Sequence, residues 1–355
     1  MTFSLCLRLG AKTLLLCTAP AALLAQENLP PDAGLPLDLD PITVQALSVR
    51  PAGPATLDFD AAATELPPAA DGGALLRAVP GVTAGRMGGH GLELVIRGQS
   101  RNQLNVIDAG SFTYGGCPNR MDPPAATANF AQADNVTVAR GYQSVTNGPG
   151  ASGGAVVLER TPPTFDEGKR WSLDMHAGGE ENGGTLGAGV SGAVDLGGGF
   201  YLEGFAEAQD AGNYEDGDGR TVRSAYTQKA GGLTFGYADG GTDLALDIER
   251  DRTTDVLFPG AGMDSPLSET TVYRLRGGTD IEAGALRRIE ASAYLSTVDH
   301  VMDNFTLRPV GMMAARTPST SDTHGGKIEA QLSFGATRAT VGVDLQSNDR
   351  DATLY

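Results

Sequence analysis

The chain has 355 residues, a formal net charge of −17 and 49 glycines, with aromatics at only 6%. That acidity speaks against nucleic acid as a partner and suits cationic ligands or plain solubility. After the first residues no stretch holds the roughly 20 apolar residues of a membrane helix, and abundant Gly with few aromatics favours strands and turns.

Residues 1–25 read as a signal peptide. Arg8 and Lys12 give a positive start, Leu14 to Leu16 an apolar stretch, and Leu23-Leu24-Ala25 a cleavage site before Gln26. Cleavage removes Arg8 and Lys12 but no acid, so the mature chain is more acidic still. It also removes Cys6 and Cys17, leaving Cys117 as the one mature cysteine. An internal disulfide is then impossible, and a lone thiol in an exported protein calls for a reason.

Residues 26–55 are rich in Pro, Asp, Leu and Ala without periodicity and read as a flexible linker. Inside it, Ile42-Thr43-Val44 forms a short β-prone island after Asp40-Pro41. Residues 56–165 read as a compact mixed α+β domain. A short helix at 74–79 is stopped by Pro80. Strands follow at 92–98 and 104–108, then a Gly-rich loop carrying Cys117, then strands near 136–138 and 153–158.

From 168 to 355 the pattern changes to runs of about ten alternating residues. About nine occur, near 169–177, 184–194, 199–210, 223–237, 242–252, 270–281, 286–302, 324–335 and 338–348. Short Gly-bearing turns at 197–199, 239–241, 282–284 and 335–337 alternate with longer loops around 211–222, 253–269 and 303–323. The fold class is therefore mainly β: a transmembrane antiparallel β-barrel, with a mixed α+β domain ahead of it. A soluble sandwich does not produce that asymmetry so regularly. Bacterial barrels have even strand counts and lipid tolerates no open sheet edge. The expectation is an amino-terminal fragment, with about nine of 22 strands and roughly 270 residues to follow.

Four residues carry the chemistry. Cys117 and Met121 lie four apart in Gly115-Gly116-Cys117-Pro118-Asn119-Arg120-Met121-Asp122-Pro123-Pro124, and His300 and Met302 end a strand-like run. Thiolate, thioether and imidazole form a soft ligand set, which favours copper and above all Cu(I). The prolines restrict the loop and reduce the ordering cost of binding. Met87 with His90, Met175 with His176, the Met312-Met313 pair as an outer contact, and His324 as a lumen residue are lesser candidates. No nucleophile–base constellation stands out, so the reading is not an enzyme.

The order of segments resembles the TonB-dependent outer-membrane receptors. Leu75 to Val82 is similar to their early plug motif, and Ile96-Arg97-Gly98, Asn105 to Asp108 and Val138 to Gly141 to the core ones. Asn147 to Val156 is similar to the closing motif, while Asp108-Ala109-Gly110 departs from the usual Asp-Gly. Within that family the cysteine loop resembles copper receptors of the OprC and NosA type. Their Cys-x-x-x-Met in the plug and His-x-Met in the barrel map onto Cys117, Met121, His300 and Met302. Phe258 to Asp264 also looks like a loop of that subfamily.

The resemblance implies import of a copper ion, as Cu(I) or Cu(II), across the Gram-negative outer membrane into the periplasm. It implies a barrel in outer-membrane lipid, a plug facing the periplasm, and Ile42, Thr43 and Val44 as the box that engages TonB and its inner-membrane energising complex. With the plug entering from the periplasm, odd barrel strands run outward, so His300 and Met302 sit at the outer end of the seventh. They share parity with Glu290, Ser292 and Ser296, which is the lumen-facing parity. The alternatives are a receptor for a metal chelate (siderophore, haem or cobalamin) or a passive porin.

Overall fold

A computed structural model describes residues 3–6, 50–51, 56–60, 72–86, 88–142, 144–149 and 151–355. Ile42-Thr43-Val44 and Met87 lie outside these residues.

The amino-terminal domain is built on a six-stranded sheet. Its spatial order is Arg50–Pro51, Thr56–Asp60, Asn135–Arg140, Gly154–Glu159, Leu104–Asp108 and Ser111–Phe112. Gly154–Glu159 runs parallel to Leu104–Asp108 and antiparallel to Asn135–Arg140, so the segment that closes the domain is central in the sheet. A central strand covered on both sides reads as a continuous apolar run, which Ala155-Val156-Val157-Leu158 supplies. A second sheet of Val82–Arg86, Leu92–Ile96 and Gln99–Ser100 packs with the short helix Gly72–Leu76. Leu76, Ile96, Phe130, Val138, Val156 and Leu158 lie in one buried core. The helix ends earlier than the sequence pattern implied. Ala78 and Val79 donate to Leu75 and Leu76 three residues back, the tight turn that often ends a helix before a proline.

Nine consecutive antiparallel strands follow: Trp171–Glu180, Thr185–Gly197, Phe200–Ala211, Tyr226–Ala238, Thr242–Val256, Asp264–Ala283, Leu286–Asp303, Arg316–Phe334 and Thr337–Ala352. Connections of two or three residues at 198–199, 239–241, 284–285 and 335–336 lie on one side, and longer ones at 212–225, 257–263 and 304–315 on the other. Alternation assigns the faces. On the fifth strand Leu244, Leu246 and Ile248 are exposed, whereas Ala245, Asp247 and Glu249 are buried on the opposite face. An apolar exterior around a polar interior is the inverse of a soluble protein and belongs to a membrane barrel. No helix among the described residues is long and apolar enough to cross a membrane.

Two features of the barrel differ from the sequence expectation, and one pairing adds to it. The sixth and eighth strands begin at Asp264 and Arg316, earlier than the alternation indicated, because their outer ends are paired but mostly polar and show no regular apolar alternation. Within the expected signal segment, Phe3–Cys6 pairs with the first barrel strand, from Phe3 opposite Gly179 to Cys6 opposite His176. A strand edge offers N–H and C=O groups to any β-capable segment. Finally, His324 is not a lumen residue. It lies opposite Leu295 on the exposed parity, while its neighbours Ser321 and Thr323 are buried.

Plug and wall are joined by a buried ionic network. Arg160, just after the last plug strand, pairs with Asp108 at 3.0 Å and with Glu249 of the fifth barrel strand. Arg274 of the sixth strand donates to Asp108 at 2.9 Å, to Glu249 at 3.2 Å and to the Ser111 hydroxyl at 2.7 Å. Each domain contributes one acid and one arginine, and the crossed pairs Arg160–Glu249 and Arg274–Asp108 form only when the plug is seated. The Arg160 guanidinium is held charged: burial opposes the charge, and Asp108 and Glu249 overcome it.

Candidate metal site at the plug–barrel boundary

The cysteine loop spans the gap between Phe112 and Pro124 and folds around one carboxylate. Asp122 accepts hydrogen bonds from the backbone N–H of Gly116 at 2.7 Å and of Cys117 at 3.0 Å. The Arg120 N–H closes a turn onto the Cys117 carbonyl at 2.9 Å, with Arg120 in the left-handed region at φ 57°. That turn brings Cys117 and Met121 to the same side. Gly115 is obligatory here, because a Cβ on it would stand 2.0 Å from the Asp122 carbonyl oxygen. The Arg120 guanidinium then grips Glu93 of the neighbouring plug strand through two bonds of 2.7 and 3.0 Å.

The wall supplies the other half. His300 and Met302 face the plug at the outer end of the seventh strand. Cys117, Met121 and Met302 pack in one buried cluster with Val256 and Phe258, and Met263 lies against it. His300 abuts the same loop, its Cβ 3.2 Å from where a side chain on Gly116 would begin. All four sequence-predicted residues are at most 6% exposed. His300 Nδ1 lies 3.5 Å from Asp122 Oδ2, and neither ring nitrogen makes a hydrogen bond. A buried imidazole without partners is costly. A metal ion is one of the few things that removes that cost, and the lone pair, the thiol and the thioethers offer it a soft set. Burial pushes the Cys117 thiol above its ordinary range; backbone N–H groups at Met121, Asn119 and Arg120 oppose the rise and Asp122 adds to it. Among the described residues no group of three or more His, Cys, Asp or Glu side chains could hold a metal, so at this cluster the thioethers of Met121 and Met302 are needed beside Cys117 and His300.

Sequence reasoning missed the supports. Asp122 organises the loop, and an acid inside a Pro-bounded turn gives no signal that it points inward. The outer connection 257–263 closes over the cluster through Phe258, which is 1% exposed. Asp264 holds it there, accepting from the Phe258 N–H at 2.9 Å, from Arg308 Nε at 2.8 Å and from Arg223 at 2.7 Å. Of the lesser candidates, Met175 and His176 are adjacent on one strand and point to opposite faces. Met312 and Met313 are exposed in an outer connection.

Residues 49–155 match the TonB-dependent Receptor Plug Domain. The chain is also similar to the solved structure of the copper transporter OprC, at 29% identity and a TM-score of 0.80 over 87% of this chain and 49% of that one. The chain belongs to the TonB-dependent receptors. The FrpB iron transporter from Neisseria meningitidis shares the fold, at 17% identity and a TM-score of 0.65 over 80% of this chain and 47% of that one. So does the siderophore receptor PirA from Acinetobacter baumannii, at 15% identity and 0.63 over 83% and 48%. The chain thus spans about half the length of these solved receptors. No curated protein sequence matches it.

Proposed function

We propose that this receptor imports copper across the outer membrane, with TonB as the source of work. The observation that carries the reading is His300, buried and without a hydrogen bond, beside a buried thiol and two buried thioethers. The similarity to the copper transporter OprC supports it. Copper enters through the outer connections and is held by Cys117, Met121, His300 and Met302, closing its own path. Ile42, Thr43 and Val44 add as a strand to TonB. A pull on the linker then moves the plug loop away from the wall and splits the ligands into two pairs, which weakens the hold and releases the ion inward.

The test is copper content per purified full-length chain, by elemental analysis. Wild type retains copper, whereas Cys117→Ala and His300→Ala lose most of it. Equal copper in all three overturns the reading. The relatives that carry iron or siderophores give the fold alone. A receptor for a chelate would bind no bare copper, so the same measurement separates the two.

A further inference from the structure

Inward of the soft cluster lies a cavity of a different character. It is enclosed by plug residues 126–131 on one side and on the other by Glu207, Gln228, Glu249, Asp251, Thr270 and neighbouring residues of the barrel strands. Its free volume of about 40 Å³ exceeds the roughly 10–15 Å³ that one water requires.

The cavity holds a surplus of oxygen acceptors. Asp251 lies directly opposite Thr270 across the fifth and sixth strands. Its carboxylate accepts from Gln228 Nε2 at 2.6 Å and from the Thr253 hydroxyl at 3.2 Å, both neutral. Its neighbour Glu249 is committed to Arg160 and Arg274. The lining arginine, Arg250, reaches outward to Glu269. Because an amide has one donor face and one acceptor face, Asp251 takes the donor face of Gln228 and turns Oε1 loose. That oxygen has no hydrogen bond, and neither has the Thr270 hydroxyl, although Gln228 is 5% and Thr270 3% exposed. On the plug side the Asn129 amide nitrogen is also unpartnered, and this amide can turn either face to the cavity. A carboxylate with neutral partners only, beside two buried oxygens with none, is a standing electrostatic deficit.

We infer that this cavity binds a hard divalent cation through Asp251, Gln228 Oε1 and Thr270 Oγ1, with water and Glu207 completing the shell. Oxygen ligands of mixed charge and hydroxyl type suit Ca²⁺ or Mn²⁺, not copper. All four of these side chains come from the third to sixth barrel strands, so the ion would brace the wall beside the plug segment 126–131, between the soft cluster and the Arg160 network. The inference does not rest on the copper reading, because no ligand is shared.

The test is titration of the metal-stripped full-length receptor with Mn²⁺, read by the electron paramagnetic resonance of the free ion, then displacement by Ca²⁺. Wild type takes up Mn²⁺ and releases it to Ca²⁺, and Cys117→Ala does the same. Asp251→Asn weakens binding about tenfold or more, since affinity follows ligand charge. Thr270→Val, which keeps shape and removes one oxygen, weakens it by less and decides the matter if Asp251→Asn does not fold. A wild-type receptor that binds no Mn²⁺, or an Asp251→Asn or Thr270→Val protein that binds as wild type does, overturns the inference.

Discussion

The plug meets the barrel wall in two contrasting ways. At the inner contact the charges of Asp108, Arg160, Glu249 and Arg274 are matched without any ligand, although Arg160 Nε and Arg274 Nη1 make no hydrogen bond. At the outer contact Cys117, Met121, His300 and Met302 are equally buried, yet His300 has no hydrogen-bond partner at either nitrogen. One seam is a lock made of fixed charges. The other is arranged as though a partner were still to come. The difference is one of charge: the inner seam is held by matched buried ions, whereas at the outer one a whole imidazole is left without a hydrogen bond beside a thiol and two thioethers.

Breaking the lock should give the largest effect. Arg274→Leu leaves Asp108 and Glu249 buried with half their partners. Removing one member of a buried ion pair costs about 3–5 kcal/mol. We expect earlier thermal unfolding and faster proteolysis of the plug in detergent, while copper content of the folded fraction stays near wild type. Parallel loss of copper would show that the seams are not separate.

The outer contact should respond in the opposite sense. Asp122→Asn keeps an acceptor for the loop but removes the charge beside His300 and Cys117. Groups that orient metal ligands are worth about 10–100-fold in affinity. A copper titration should show a loss of that order with little change in unfolding temperature.

Acidity sharpens the contrast further. Burial raises the Cys117 thiol pKa, so the thiol is protonated at neutral pH in the empty receptor. Copper binds the thiolate and must expel that proton. Affinity should therefore rise about tenfold per pH unit up to the raised thiol pKa and level off above it. Competition titrations at several pH values measure this, and a flat profile would mean that Cys117 is not a ligand. The smallest effect should be that of Cys117→Ala on the metal-free protein, about 1 kcal/mol in unfolding free energy, as for a modest core change. Copper protection against unfolding should vanish in the same variant.

The legibility of the fold differs from that of the site. The strands were readable because lipid demands an apolar residue at every second position, as in Leu244, Leu246 and Ile248. The plug was readable because its turns need particular residues, such as Gly98 and Gly141 at φ of 82° and 84°. The lumen side of His300 and Met302 followed from parity alone. His324 went wrong because a strand whose outer end is polar on both faces offers no apolar marker of register. Asp122, Asp264 and Arg308 were invisible because each acts on a segment far from it in sequence or within an irregular loop.

By itself, then, the sequence determined the alternation that makes a barrel, the plug motifs, and the presence of a soft ligand set. Those depend on neighbours along the chain, where a period of two or a glycine at a turn is written locally. Only the tertiary structure decided that residues 117 and 121 meet residues 300 and 302, that Arg160 and Arg274 share Asp108 and Glu249, and that Asp251 faces Thr270 across a cavity. Each of these depends on how far the plug sits inside the barrel, which is set by packing and charge balance between segments distant in the chain.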